Sequence, residues 1–177
     1  RFASYTAFSY KTFGDLVSGK NKNMFYRKSY WERPSYVERI NGVDSIVNNE
    51  NRFKQVYSGY SQFDITQKLL FKQNDQTKHT FNLQYSESTD IPRYDRLTDV
   101  RNGNPRFAEW YYGPQIRLLS AYNLSKQDLD ATIQNMQFSV NYQKIKECRH
   151  TINFRNELRI IRYEHLDVFA ANLDFQK

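Results

Sequence analysis

At 177 residues the chain has the length of one ordinary domain. Its single cysteine, Cys148, excludes an intrachain disulfide and any cysteine-based zinc site, and no run of ~18 apolar residues could serve as a transmembrane helix. The formal charge of +7 admits anionic partners, but Lys and Arg are scattered beside Asp, Glu, Asn and Gln, which describes a solvated, mildly basic surface better than a binding stripe.

Aromatic residues make up 16% of the chain, with 14 Tyr and 13 Phe against only 6 Gly. Such bulk fills a pleated surface well and loses rotamer freedom on a helix, so the composition favours β-structure. Period 2 is the strongest regularity. Arg1 to Phe13 reads as a first strand. From Tyr57 to Phe71 the odd positions hold Tyr57, Phe63, Ile65, Leu69 and Phe71, and the even ones Ser58, Gln62, Asp64, Thr66 and Lys68. Asn74 and Asp75 lie in the polar stretch KQNDQTK, a hairpin turn. Phe81, Leu83 and Tyr85 then alternate with Thr80, Asn82, Gln84, Ser86 and Ser88. A less tidy strand carries Ile116, Leu118, Tyr122 and Leu124, and SKQDLD (Ser125 to Asp130) is the next turn. Met136, Phe138, Val140 and Tyr142 alternate with Asn135, Gln137, Ser139, Asn141 and Gln143. Asp167 to Phe175 closes the series.

The pattern predicts an all-β chain, an antiparallel up-and-down meander of about six long strands. Its connections alternate: short at 73–77 and 125–130, long and rich in Arg and aromatics at 14–53, 90–113 and 147–160. Two architectures share this repeat. In a soluble sandwich or small barrel the apolar face is a core; in an outer-membrane barrel it meets lipid, the lumen is polar, aromatics form girdles, and turns are short on one side and long on the other. Tyr and Phe at strand ends, polar faces of Asn, Gln, Ser and Thr, and segments of ~9 to 15 residues favour the membrane barrel.

Five stretches carry a resemblance: YVERINGVDSIVNNE (Tyr36 to Glu50), SGYSQFDITQKLLF (Ser58 to Phe71), QYSESTDIPRYDRL (Gln84 to Leu97), AEWYYGPQ (Ala108 to Gln115) and RYEHLDVFAANLDFQK (Arg162 to Lys177). Together they resemble the barrel domain of TonB-dependent outer-membrane receptors in their Bacteroidetes form, most specifically in PRYDRL and AEWYYGPQ. The resemblance implies a location in the bacterial outer membrane, a transmembrane β-barrel of about 22 strands, and uptake of a scarce ligand such as a siderophore, haem, cobalamin or glycan with energy from the TonB complex. Plug, TonB box and closing strand are not within residues 1–177, so it further implies that the whole chain is a partial barrel segment. The implied partners are outer-membrane lipid, TonB through the plug domain, and an imported ligand of unknown identity. No cofactor is implied.

The stretch IPRYDRLTDVRNGNPRFAEWYYGPQ (Ile91 to Gln115) holds the ligand-binding candidates. Arg93 and Arg96 could grip a carboxylate or phosphate, Trp110, Tyr111 and Tyr112 could stack on a flat ligand, and Tyr94 is a further candidate in the same loop. The competing structural reading pairs Arg93 and Arg96 with Asp95, Asp99 or Glu109 to order the loop, with the aromatics in the outer girdle. His79, His150 and His165 are too scattered for a metal site, although His150 and His165 could approach across a hairpin. Glu147 and Glu164, with Arg149, Arg155, Arg159 and Arg162 between them, suggest cross-strand ion pairs. No nucleophile elbow, phosphate loop or carboxylate dyad points to an enzyme. The alternative class is a soluble basic β-sandwich or barrel binding single-stranded nucleic acid or another anion. Lys54, Lys68, Lys72 and Lys78 lie on alternate faces or near turns, so the expectation is no nucleic acid.

Overall fold

A computed structural model describes residues 1–19, 32–129 and 132–177. In chain order the elements are β1 (Phe2–Phe13), β2 (Ser35–Ile40), β3 (Val43–Asn48), β4 (Tyr60–Lys72), β5 (Thr77–Ser88), β6 (Ile91–Pro92), α1 (Tyr94–Leu97), β7 (Val100–Arg101), β8 (Asn104–Pro105), β9 (Phe107–Tyr112), β10 (Ile116–Gln127), β11 (Asn135–Asn153) and β12 (Arg159–Gln176). The chain is all-β, and its sheets are antiparallel.

Six long strands lie side by side in the order β1, β4, β5, β10, β11, β12. They form the expected meander. Beside the upper half of β11, on the side that β10 occupies lower down, lies β9, with β6 paired to it. The turn between β4 and β5 closes because Asn74 Oδ1 accepts the backbone N–H groups of Gln76 (3.0 Å) and Thr77 (2.7 Å). That is the side-chain turn chemistry the Asn-Asp pair announced. The second short connection starts later than expected, since β10 runs to Gln127 and the Asp128 amide then donates to Gln134 O at 2.6 Å. Asp130, at the end of the expected turn, lies outside the described residues.

Three sequence expectations need correction. The stretch 147–160 is not a long link, because β11 continues to Asn153 and β12 begins at Arg159, leaving only 154–158 between them. The chemistry explains the error: KIKECRHTIN is polar on both sides, so its strand has no apolar stripe to read, and it is held by β9 and β12 instead. Tyr57 does not begin a strand; it stands outside β4 with φ of 61°. The long links are also not plain loops. The described part of 14–53 contains the β2–β3 hairpin, and 90–113 contains β6, α1, the β7–β8 hairpin and β9.

The register carries the alternation across the whole sheet. Phe8 pairs with Ile65, Ile65 with Tyr85, Tyr85 with Leu118; Tyr122 pairs with Val140 and Val140 with Ala171. All apolar stripes therefore share one face, since directly opposed residues point the same way. Nothing among the described residues covers that face: Phe8 is 69% exposed and Phe169 76%. The opposite face carries a polar network, in which Asp64 Oδ1 accepts from Ser86 Oγ and Gln62 Nε2 at 2.7 Å each, and Lys11 Nζ lies 3.1 Å from Asp64 Oδ2. The buried hydrophobic residues among those described are Val37, Trp110 and Ile152, all at the end where the long connections gather.

The apolar band steps between β10 and β11. Met136 on β11 faces Lys126 on β10, whereas Lys144 and Lys146 on β11 face Leu118 and Ile116. The stripe on β10 is displaced toward the long connections relative to that on β11. A slab of fixed thickness crossing tilted strands produces such a shift.

Candidate functional site

Where the chain leaves β1 and re-enters β4, the ends of a long excursion are tied by polar groups. Asp15 Oδ1 accepts the backbone amides of Ser58 (2.8 Å) and Gly59 (3.0 Å), the Leu16 amide donates to Ser58 Oγ (2.8 Å), and Ser58 Oγ donates to Gln55 O (2.7 Å). Burial pushes the Asp15 carboxyl up, but those two amides and Lys54, 3.4 Å away, outweigh it and hold the group below the usual carboxylate range. Gly59 is needed for a steric reason: a Cβ there would sit 2.7 Å from Phe13 O and 3.2 Å from the Gly14 carbonyl carbon. Backbone cannot swing aside as a side chain can. Gly59→Ala is expected to cost about 1–3 kcal/mol, seen as faster protease cleavage of the 14–59 segment in the folded full-length chain; an unchanged cleavage rate would mean that the close approach is not needed.

The tie positions a cluster of short elements. Arg93 is the organising cation. Its Nε and Nη2 donate to Asp95 Oδ1 and Oδ2, both at 2.7 Å, and its Nη1 donates to Tyr112 Oη at 3.2 Å. The guanidinium lies 5.0 Å from the Trp110 ring centre and 5.7 Å from that of Tyr112, and the two rings meet edge to face at 5.1 Å. The side-chain bonds to Asp95 hold the Arg93 pKa above its ordinary value, and the same bonds hold Asp95 below the usual carboxylate range. Arg96 makes a longer contact with Asp99, 3.5 Å, just past the end of α1.

These contacts match the loop-ordering pairs expected for Arg93 and Arg96 with Asp95 and Asp99. The structure brings Arg93, Trp110 and Tyr112 into one stack. Tyr94 and Arg96 lie apart from that stack on α1, with Arg96 exposed. Tyr111 points to the other side of β9, where its ring stacks on His150 (4.7 Å, 8° between planes) and its hydroxyl accepts from Arg159 Nη1 at 2.5 Å. Arg159 in turn pairs with Glu109 at 2.8 Å.

An open cleft of about 390 Å³ runs between β2 and β9. Trp110 and Tyr111 line it with Val37, Tyr57, Glu38 and Asp90. Of the six candidates, then, Trp110 and Tyr111 line the cleft, and Arg93 packs against Trp110 but not Tyr111. Tyr57 is a wall residue that alternation placed on the strand, whereas its positive φ takes it off β4; it meets Tyr36 edge to face at 5.7 Å.

Other expected pairings fall differently. His150 and His165 do not approach, since β11 places Lys146, not His150, opposite His165. His79 is occupied locally, with Tyr122 Oη at 2.8 Å and Gln73 Oε1 at 3.0 Å. No grouping of His, Cys, Asp or Glu fit to hold a metal occurs among the described residues. The expected ion pairs between Glu147, Glu164 and their arginines are replaced by like charges in register, Glu147 opposite Glu164 and Arg149 opposite Arg162; Glu147 accepts from Gln115 Nε2 at 2.6 Å instead. Cys148 Sγ lies 3.2 Å from His150 Nε2, and burial pushes the thiol pKa up.

Comparison with family models, with curated proteins and with solved structures gives no match for this chain. The fold and the loop-end geometry therefore carry the functional argument.

Proposed function

We propose that the chain is a stretch of the wall and outer loops of a TonB-dependent receptor in the bacterial outer membrane, part of a barrel of about 22 strands. The observation that carries the reading is the uncovered apolar face shared by six registered strands, with a step between β10 and β11 of the kind that tilted strands crossing a lipid slab give. The hydrogen-bonded polar face suits a hydrated lumen, and the gathering of long connections at one end suits an extracellular side.

In this reading β1 and β12 pair with further strands, which satisfies their free backbone groups in lipid. The loop cluster captures an imported ligand, and TonB acts through a plug outside this segment. No helix among the described residues is long and apolar enough to cross a membrane, which leaves strands to do so. The test uses full-length protein in liposomes of brominated phosphatidylcholine. A tryptophan placed at Val140, on the apolar face, is expected to be quenched strongly, and one placed at Ser139 weakly. Equal, weak quenching at both positions would sink the membrane reading.

A further inference from the structure

A second concavity, of about 460 Å³, lies on the loop end between the β7–β8 hairpin and the β11–β12 turn. Its charge is one-sided. Arg101, Arg106 and Arg155 line it together with Asn102, Asn104 and Asn153, and no carboxylate does. Neither the Arg101 nor the Arg155 guanidinium pairs with a carboxylate among the described residues, and Arg106 reaches Asp99 only at 3.9 Å.

The three arginines come from segments that the backbone fixes together. Asn102 and Gly103, at φ of 52° and 79°, make the two-residue turn that ends the β7–β8 hairpin and sets Arg101 opposite Asn104. The Phe154 amide donates to Arg106 O at 3.1 Å, which ties the two segments directly. Arg155 holds a positive φ of 57°, a conformation a long side chain adopts at a cost, and its amide is held by the buried Asp44 Oδ2 at 2.7 Å.

Ring contacts point the same way. Arg106 lies over the Phe107 ring at 4.9 Å, and Arg155 over Phe154 at 5.1 Å. Stacking uses the face of the guanidinium and leaves the N–H edge, the part that grips a carboxylate or phosphate with two bonds, directed elsewhere.

We infer that this concavity binds the oxyanion groups of an acidic saccharide, with the arginines on its carboxylates or phosphates and the asparagine amides on its hydroxyls. Nucleic acid fits less well: the one lining aromatic, Phe154, is already covered by Arg155, so no ring is left to stack a base. The site is a property of the loop end and does not depend on what surrounds the sheet.

The test is calorimetric titration of the purified full-length chain at low salt. Trigalacturonate is the free-saccharide probe, maltotriose the neutral control, oligo(dT) the nucleic-acid control, and lipopolysaccharide-containing vesicles against pure phosphatidylcholine vesicles the membrane arm. Three exposed charged contacts predict a loss of about 10–100-fold in the triple variant R101Q/R106Q/R155Q. The triple lysine variant, which keeps charge but loses the fork, should fall in between, and it stays informative if the glutamine variant does not fold. Variant-sensitive binding of trigalacturonate supports the site with a free ligand. The same dependence seen only with lipopolysaccharide supports it with the membrane's own headgroups as the source. Binding of neither probe, affinity equal in wild type and the lysine variant, or binding confined to oligo(dT) overturns it.

Discussion

Ile152→Ala is expected to destabilise the loop end by about 2–5 kcal/mol. Ile152 is only 2% exposed, the most buried hydrophobic residue described, in a molecule whose other large apolar groups mostly face outward. It sits on β11 with Glu109 of β9 on one side and Arg159 of β12 on the other, just before the register shift at Asn153. Its neighbours are held by polar bonds of fixed geometry, the Arg159–Glu109 pair and the Phe154 amide on Arg106 O, so they collapse poorly into a void. A cavity that cannot close costs the most. Hydrogen exchange on the full-length protein reads the effect: amides of β9 and of β11 beyond Glu147 should exchange faster by a factor set by the lost stability, while those of β4 and β5 stay unchanged. Ile152→Val should cost about 0.5–1.5 kcal/mol. Equal protection in wild type and the alanine variant would mean that the loop end has no packed centre.

Under the proposed membrane reading, Val140→Arg should cost about 2–4 kcal/mol of folded stability in a bilayer, the depth-dependent cost of a cation facing lipid near the midplane. Val140 lies midway along the apolar band, between Tyr122 and Ala171. Ser139 and Asn141 are one residue away on the polar face, among Asn123 and Asn172. An arginine at Ser139 should therefore cost little. The comparison is made by refolding full-length variants into liposomes and measuring the folded fraction by heat-modifiable gel mobility across a urea series. Equal penalties at positions 139 and 140 would mean that the two faces do not differ in environment.

Much of the sheet was legible because its alternation is local. Phe81, Leu83 and Tyr85 declare a face without reference to any partner, and Asn74 declares its turn through a bond to its own neighbours. The upper part of β11 was not legible, since Lys146, Glu147, Arg149 and His150 have no apolar period and become a strand because β12, joined by β9 from Arg149 on, pairs beside them. The candidate site divides similarly. Arg93 with Asp95 could be read as a close charge pair, whereas the Tyr57 wall and the Arg101, Arg106 and Arg155 concavity depend on positive φ and on three segments meeting. Only the Asn102-Gly103 pair hinted at a hairpin there.

The arrangement of turns has a kinetic side. Lys72 and Lys78, the pair nearest the β4–β5 turn, are six residues apart in the chain, whereas Phe13 and Tyr60, the innermost pair between β1 and β4, are 47 apart. Closing the longer loop costs about 2 kcal/mol more chain entropy before any contact repays it. Hairpins β4–β5 and β10–β11 therefore zip early, and β1 docks late onto a finished template. Asp15, receiving two amides at the point of docking, becomes the clasp of that long loop.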